Sequence, residues 1–105
     1  VSGHQVPDKL GKAGLTATKA EMVDAPVINE LPLCMECEFV TYQDGPYGCG
    51  VIGKVVSVTA DERVLTDGKV DMTKVDAIAF DPYTYGYYKV TVRVGNAFQD
   101  GAKLK

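Results

Sequence analysis

The sequence is poor in the residues that build disulfide frameworks and metal sites. Its 105 residues include three cysteines and one histidine. An odd count of three in a mid-sized acidic chain is typical of free thiols in a reducing compartment, not of a disulfide framework. His4 has no cysteine or second histidine beside it, so we interpret it as a solvated loop residue. We predict no metal site.

Two further absences exclude other classes. No apolar run approaches the roughly 18 residues that a membrane helix needs, and no signal peptide opens the chain. Lys and Arg number 11 against 14 Asp and Glu, a net charge of -3, which offers no attraction for nucleic acid or anionic lipid. We therefore predict a cytoplasmic protein with neither partner. Because the first residue is Val1 and not Met, we also expect a fragment of a longer protein.

What remains is an ordinary globular composition, with 46% hydrophobic residues. A chain of this length suits one domain, and we predict a single domain over residues 1–105.

The strand signals are strongest in the middle of the chain. Residues 32–42 alternate, with one face formed by Leu33, Met35, Cys37 and Phe39. After turn residues at 43–48, residues 49–59 are rich in Val and Ile and predict a central strand. The pair is typical of an antiparallel hairpin.

The rest of the chain predicts shorter elements. Residues 77–80 and 90–94 are expected to be strands, and Asp71 to cap a one-turn helix over 72–76. A helix of at most two turns is also expected, beginning near Pro7 and ended by Gly11 and Gly14. Residues 15–30 are interpreted as a connector. The predicted class is mainly β, an antiparallel small barrel or curled sheet with one-turn helices.

Two motifs match functional patterns but lack their context. Gly48 to Gly53 fits G-x-G-x-x-G, yet a β-branched run follows where a dinucleotide site needs a helix. Cys34 and Cys37 fit C-x-x-C, but residues three apart on a strand face opposite sides of the sheet. We interpret both cysteines as packing residues, with a redox or metal role as the open alternative.

Aromatic and basic residues near the end of the chain offer a ligand surface. Four tyrosines lie between residues 83 and 88 and could stack on a flat ligand, although tyrosines are also common at the wet edges of strands. Lys89 and Arg93, four apart on one strand, could hold a phosphate, whereas a solvated face is the plainer interpretation. No complete catalytic constellation is present.

Nearly the whole chain carries an ordered series of short segments that together indicate one family. They are Val1-Ser2-Gly3, Asp8-Lys9, Ala13-Gly14-Leu15, Val23-Asp24-Ala25-Pro26-Val27-Ile28, Met35-Glu36-Cys37, Val51-Ile52-Gly53-Lys54-Val55-Val56, Asp61-Glu62-Arg63-Val64-Leu65, Asp67-Gly68-Lys69-Val70-Asp71, Phe80-Asp81-Pro82 and Tyr87-Tyr88-Lys89-Val90. In this order they resemble the C-terminal portion of the flavin reductase-like FMN-binding split-barrel family, near its flavoredoxin-type branch.

The resemblance implies an antiparallel split β-barrel of which this chain is the C-terminal half to two-thirds. It also implies a homodimer, or pairing with the missing N-terminal half, and FMN bound non-covalently. Members of the family reduce flavin with NAD(P)H or pass electrons through bound FMN to a redox partner. Many reductases carry Gly-Asp-His before the central strand, where this chain has Pro46-Tyr47-Gly48, a difference that favours electron transfer.

By the same resemblance, the expected FMN contacts are Ser2 and Gly3 at the start of the chain, and Tyr88 and Lys89 on the late strand. The alternative function is a cofactor-free small β domain that acts as a binding or assembly module. An oligonucleotide-binding barrel would need a basic groove, which the net charge of -3 opposes.

Overall fold

The computed structural model describes residues 2–105, and its regular structure is almost entirely antiparallel β. The strands are β1 Ala17–Lys19, β2 Pro26–Ile28, β3 Leu33–Gly45, β4 Gly48–Ala60, β5 Leu65–Thr66, β6 Lys69–Val70, β7 Ala77–Asp81 and β8 Gly86–Val90. They pair as four two-stranded sheets, β1 with β2, β3 with β4, β5 with β6 and β7 with β8. The helices α1 (Lys9–Lys12) and α2 (Met72–Val75) have one turn each. The predicted mainly β, antiparallel class is confirmed, and the strands of residues 2–105 do not close into a barrel.

The chain forms two compact units, Val1–Glu62 and Arg63–Lys105. The single domain expected over the whole length stays a prediction.

The first unit is dominated by the hairpin of β3 and β4, each of which is 13 residues long. Two register shifts interrupt the pairing, one between Glu36 and Cys37 and one between Phe39 and Thr41. Bulges of this kind bend and twist a strand pair, which a long flat hairpin would otherwise lack. The shift opposite Gly53 brings its backbone so near that a Cβ there would lie 3.2 Å from the Cβ of Cys37. The predicted hairpin is confirmed. The residues that match G-x-G-x-x-G, Gly48 to Gly53, lie within β4.

The interpretation of residues 15–30 as a connector was wrong, because the segment forms the hairpin of β1 and β2. Polar side chains hold this hairpin together. The Thr16 hydroxyl donates to Glu30 Oε2 at 2.9 Å, and the Thr18 hydroxyl donates to Asn29 Oδ1 at 3.0 Å. Cross-strand pairs of this type leave no alternation of apolar residues, which is the signal that identifies a strand in a sequence.

The second unit begins with a 3₁₀ turn, Glu62–Val64, and the small hairpin of β5 and β6. Asp67 and Gly68 make its turn with φ values of 52° and 74°, the two positive values that a tight hairpin turn with right-handed twist requires. The Asp71 side chain then accepts a hydrogen bond from Thr73 N and caps α2. The predicted cap and one-turn helix are confirmed.

The strand predicted over residues 90–94 is mostly absent, because β8 ends at Val90. Val90 pairs with Ala77, which is the first residue of β7. Beyond that pair β7 offers no further backbone groups, and Thr91 to Val94 have no strand partner within residues 2–105. The segment has the composition of a strand but lacks a neighbour.

The described chain has very little core. Ala20 and Val64 are its buried hydrophobic residues, and Glu36 is its buried charged residue. The accessible surface is 9216 Å², whereas a folded monomer of this mass exposes about 5,700 Å². Many large apolar side chains are exposed, among them Phe39, Tyr47 and Phe98. No helix within residues 2–105 is long and apolar enough to cross a membrane.

Candidate functional site

The hairpin of β7 and β8 carries two of the predicted contact residues, and its register fixes which side chains share a face. Ile78 lies opposite Lys89, and Phe80 lies opposite Tyr87. Residues directly opposite in an antiparallel pair point to the same side, and successive residues alternate. Ile78, Phe80, Tyr87 and Lys89 therefore form one face, which we call the Lys89 face.

The Lys89 face combines aromatic rings with a cation. The Phe80 and Tyr87 rings have centroids 5.6 Å apart and planes tilted by 50°, an arrangement that aromatic pairs favour. All four side chains of the face are exposed. A flat ligand with a negative group finds there both apolar ring surface and a positive charge.

Lys89 forms an ion pair with Asp76, the residue that ends α2. Its Nζ lies 3.5 Å from Asp76 Oδ1, and the two side chains are 67% and 63% exposed. Asp76 ends α2 in the left-handed conformation, with φ of 56°. An ion pair this exposed is weak and exchanges readily with solvent or another anion. Lys89 is thus held near Asp76 but is open to a ligand.

Tyr88 lies on the other face of β8, opposite Ala79 and beside Gly86. A Cβ at Gly86 would lie 3.5 Å from Tyr88 Cε2, so the ring rests against the glycine backbone. Tyr88 and Lys89 are adjacent in the chain but point to opposite sides. A single flat ligand on one face contacts only one of them through its side chain. Tyr87 shares a face with Lys89 but was not among the expected contacts. The alternation of side chains along a strand, applied to the four tyrosines, indicates that Tyr87 and Lys89 point to the same side.

The loop that joins β7 to β8 is fixed by Asp81. Its carboxylate accepts hydrogen bonds from Tyr83 N at 2.8 Å, from Thr84 N at 3.3 Å and from the Thr84 hydroxyl. These hydrogen bonds hold the pKa of Asp81 below its ordinary value. The bond from the Thr84 hydroxyl contributes most, and the bond from Tyr83 N comes next. The loop presents Tyr83 and Tyr85 to solvent, with Tyr85 at a φ of 58°.

Ser2 and Gly3 lie in a turn of the first unit, away in sequence from the hairpin of β7 and β8. Ser2 N donates to Gln5 Oε1 at 3.1 Å, and Gln5 N donates to Ser2 Oγ at 3.3 Å. The Ser2 hydroxyl thus keeps its own proton for a ligand. Gly3 has open space around the position of a Cβ. The structure brings Ser2 next to Gly3 and Tyr88 next to Lys89, within separate units.

Arg93 does not join Lys89 as a second phosphate ligand within a regular strand, because it lies beyond the end of β8. Its Nη2 donates to Asn96 Oδ1 at 2.5 Å and its Nε donates to the Gly95 carbonyl at 3.4 Å. The guanidinium is thereby directed toward the tail of the chain. The premise that Lys89 and Arg93 lie on one strand was wrong, because β8 ends at Val90.

The other sequence motifs supply no second site. Cys34, Cys37 and Cys49 are free thiols, and residues 2–105 contain no cluster of three or more His, Cys, Asp or Glu that could hold a metal ion. Cys34 pairs with Thr59 and Cys37 with Val55, which places them on opposite faces of β3. The two thiols do not converge, as predicted, but the packing role predicted for Cys37 was wrong, because its side chain is exposed.

A cavity of about 500 Å³ lies in the second unit between α2, β6 and the segment after β8. Its polar wall includes Asp71, whose carboxylate accepts from the Thr73 hydroxyl at 2.6 Å, the Thr66 hydroxyl at 2.7 Å and Thr73 N at 2.9 Å. These bonds, with the Thr73 hydroxyl first, lower the pKa of Asp71 from 3.8 to about 2.

The lowered pKa predicts an acid-dependent loss of stability. A carboxylate whose pKa is lower in the folded state stabilises the fold at pH values above its ordinary pKa of 3.8. This contribution to stability disappears as the pH falls through about 2. We expect Asp71→Ala to reduce amide protection at Thr73 at pH 7, and this deficit to vanish near pH 2. Hydrogen exchange followed by NMR measures both. Asp71→Asn is the matched control, because it keeps an acceptor but cannot titrate; a deficit that persists at pH 2 for Asp71→Ala contradicts the assignment.

Comparison with known proteins supplies the remaining information. No protein-family model matches the chain, and no curated protein matches it. Solved structures do match. Flavoredoxin of Desulfovibrio vulgaris (Miyazaki F) is 35% identical over 90% of this chain, with a TM-score of 0.80. Flavoredoxin from Methanosarcina acetivorans is 30% identical over the full chain, with a TM-score of 0.85.

The two flavoredoxin matches are consistent with a flavin reductase-like family. The family resemblance deduced from the segments between Val1 and Val90 is confirmed. Nitrilotriacetate monooxygenase component B from Bacillus cereus, 22% identical over 83% of this chain with a TM-score of 0.65, shares the fold. The chain spans 50% of the first flavoredoxin, 55% of the second and 46% of component B.

Proposed function

We propose that this chain is part of a flavoprotein of the electron-transfer type that binds FMN. The observation that carries the proposal is the match of fold and sequence to two flavoredoxins at 30% and 35% identity. The exposed aromatic and cationic surface of the last hairpin supports it, because a flavin offers a flat ring system and a phosphate. The chemistry, hydride acceptance and transfer of one or two electrons, is supplied by the flavin when it is bound.

In this proposal, the chain's own residues bind and orient the cofactor. The Lys89 ammonium neutralises negative charge on the phosphate or ring, and the Tyr87 and Phe80 rings cover one side of the flavin. Tyr88 contacts it through its backbone, because its side chain lies on the opposite face of β8. Ser2 offers a hydroxyl proton, and Gly3 allows close approach of the backbone, since no side chain stands there.

The exposed apolar side chains support a further part of the proposal, namely that the working molecule contains more polypeptide than these residues. Both faces of the β3–β4 hairpin carry exposed apolar side chains, among them Phe39, Val51 and Ile52. Such a surface fits either the other half of a barrel or a second copy of the chain. Electrons would come from NAD(P)H or from a redox partner protein, and the free thiols suit a cytoplasmic location.

A titration of FMN with the protein, followed by quenching of flavin fluorescence, tests the binding role of Lys89. We expect Lys89→Ala to weaken FMN binding roughly two- to fivefold, the range that loss of one exposed charge interaction gives. Lys103→Ala is the matched control, since Lys103 lies in the exposed terminal 3₁₀ segment. Equal affinity of both variants would remove Lys89 from the site.

A second variant separates a direct contact from a structural effect. Asp76→Asn removes the charged neighbour of Lys89 without touching the ammonium. If Lys89 binds the cofactor, this variant binds FMN as well as the parent or more tightly. If the ion pair merely stabilises the hairpin, Asp76→Asn weakens binding as Lys89→Ala does.

An assay with NADH, NADPH and free FMN distinguishes a reductase from an electron carrier. The residues Pro46-Tyr47-Gly48 at the turn between β3 and β4 favour the carrier, for which neither nicotinamide supports turnover. The alternative, a cofactor-free β module, predicts a protein that takes up no FMN at all.

A further inference from the structure

We propose that Asp81 is a positioning residue for the FMN site: its carboxylate sets the register of β7 and β8 and thereby keeps Phe80 on the Lys89 face. The inference rests on the proposed binding of FMN by that face. Asp81 is the last residue of β7, and the alternation of a strand places its side chain on the side of the hairpin away from Phe80. It therefore acts through the loop and not by contact with the flavin.

The register of this hairpin is not set by burial of one face. Within residues 2–105 no residue of β7 or β8 is buried, and both faces carry large exposed side chains, Phe80 on one and Tyr88 on the other. The register of a strand pair without a buried face is weakly specified, and it then depends on the turn. The turn between Asp81 and Gly86 therefore decides which residues lie opposite each other.

The turn is held by one carboxylate that uses both of its oxygens. Asp81 Oδ1 accepts from Tyr83 N at 2.8 Å, and Oδ2 accepts from Thr84 N at 3.3 Å and from the Thr84 hydroxyl. An Asp that precedes Pro82 and accepts from the backbone two residues on is a residue order that favours a defined turn. Tyr85 completes the loop in the left-handed conformation, with φ of 58°.

Thr84 connects this carboxylate with the first residue of β8. A Cβ at Gly86 would lie 3.5 Å from Thr84 Oγ1, so the hydroxyl that donates to Asp81 also lies against the start of β8. Asp81 and Gly86 form the pair that closes the ladder. Because these contacts lie within the hairpin, they favour the same register whatever further polypeptide packs on its faces.

A slip of one residue would change the composition of the Lys89 face. Phe80 would lie opposite Gly86 or Tyr88 instead of Tyr87, because a one-residue shift moves one strand's side chains to the other side. Tyr87 and Lys89 would remain together but lose the Phe80 ring. A flavin on that face would keep the cation and one aromatic ring and lose the other.

Nuclear Overhauser contacts between the Phe80 and Tyr87 rings measure the register without any flavin. The ring centroids are 5.6 Å apart, so the parent should show a contact between the two rings. In Asp81→Ala we expect this contact to weaken and a contact from Phe80 to another residue of β8 to appear. Asp44→Ala is the matched control, because it makes the same change at an exposed residue of the β3–β4 hairpin. It should leave the ring contact intact.

Two milder variants keep the test decisive if Asp81→Ala does not fold. Thr84→Val removes the hydroxyl that donates to Asp81 but keeps the branched shape and the backbone N–H. We expect it to weaken the ring contact, by less than Asp81→Ala does, while circular dichroism shows that the chain stays folded. Thr84→Ser restores a hydroxyl and should restore the ring contact, a rescue that general loss of stability does not explain.

FMN titrations of the same variants separate this inference from the function on which it rests. We expect Asp81→Ala to raise the dissociation constant for FMN roughly two- to tenfold, the factor that loss of one aromatic contact gives. Thr84→Ser and Asp44→Ala should match the parent.

A parent that takes up no FMN overturns the proposed function, and the positioning role with it. A parent that binds FMN, while Asp81→Ala and Thr84→Val keep both the ring contact and the affinity, overturns the positioning role alone. Loss of affinity with an unchanged ring contact contradicts the positioning role as well.

Discussion

Val64→Ala is expected to destabilise the second unit more than any other single truncation in it. Val64 is 1% exposed, and its carbonyl accepts a hydrogen bond from Asp71 N at 2.8 Å, so it lies under the junction between the 3₁₀ turn and α2. Removing two buried methyl groups and leaving a cavity costs about 2–3 kcal/mol. In so small a unit that should lower the melting temperature by roughly 10 °C.

The matched control is Val94→Ala, which makes the same chemical change at a side chain that is 97% exposed. The monomer should melt as the parent does, because no packed contact is lost. Thermal melts at low protein concentration, followed by circular dichroism, compare the two. Equal melting temperatures for Val64→Ala and Val94→Ala would show that Val64 is not a core residue.

Glu36→Ala is expected to have the second-largest effect, by releasing the segment between β1 and β2 from β3. Glu36 is buried, and its Oε1 accepts a hydrogen bond from Met22 N at 2.8 Å. Alanine leaves that N–H without its acceptor, which costs about 1–3 kcal/mol. Amide exchange at Met22 should accelerate before the hairpin of β3 and β4 opens.

Two variants define the cause of that loss. Glu36→Gln keeps a carbonyl oxygen at the position of the acceptor and should retain most of the protection. Glu38→Ala, at a nearby exposed position of β3, should leave Met22 unchanged. Full protection of Met22 in Glu36→Ala would mean that the hydrogen bond does not hold this segment.

The parts of the fold that could be predicted are those with a strong local pattern. The apolar row of Leu33, Met35 and Phe39 identified β3, and Asp71 identified the start of α2. The β1–β2 hairpin was missed because hydrogen bonds between polar side chains hold it, and such bonds produce no periodic apolar signal. The side chains concerned are Thr16, Thr18, Asn29 and Glu30.

The end of β8 shows a different limit of sequence-based prediction. The pattern of Val90 to Val94 correctly describes a segment suited to a strand. Whether it becomes one depends on a neighbouring strand, and β7 provides none beyond Ala77. Local propensity therefore indicates what the segment can form, and partner strands decide what it does form.

The candidate site was predictable in location more than in detail. The concentration of tyrosines and Lys89 near residue 88 indicated the last hairpin, which carries the exposed Phe80–Tyr87 pair. The two expected contacts Tyr88 and Lys89 lie on opposite faces of β8, and Lys89 shares its face with Tyr87. The ion pair with Asp76 required the structure, because it crosses from the end of α2 to the strand.

The visible absorption spectrum of the purified chain, recorded after addition of FMN and desalting, tests the assignment as a flavoprotein most directly. We expect retained bands at roughly 370 and 450 nm, which come from the flavin itself. We also expect weaker retention in Lys89→Ala than in Lys103→Ala. A chain that is folded by circular dichroism, yet colourless and unable to take up added FMN, would contradict the proposed FMN binding and favour a cofactor-free β module.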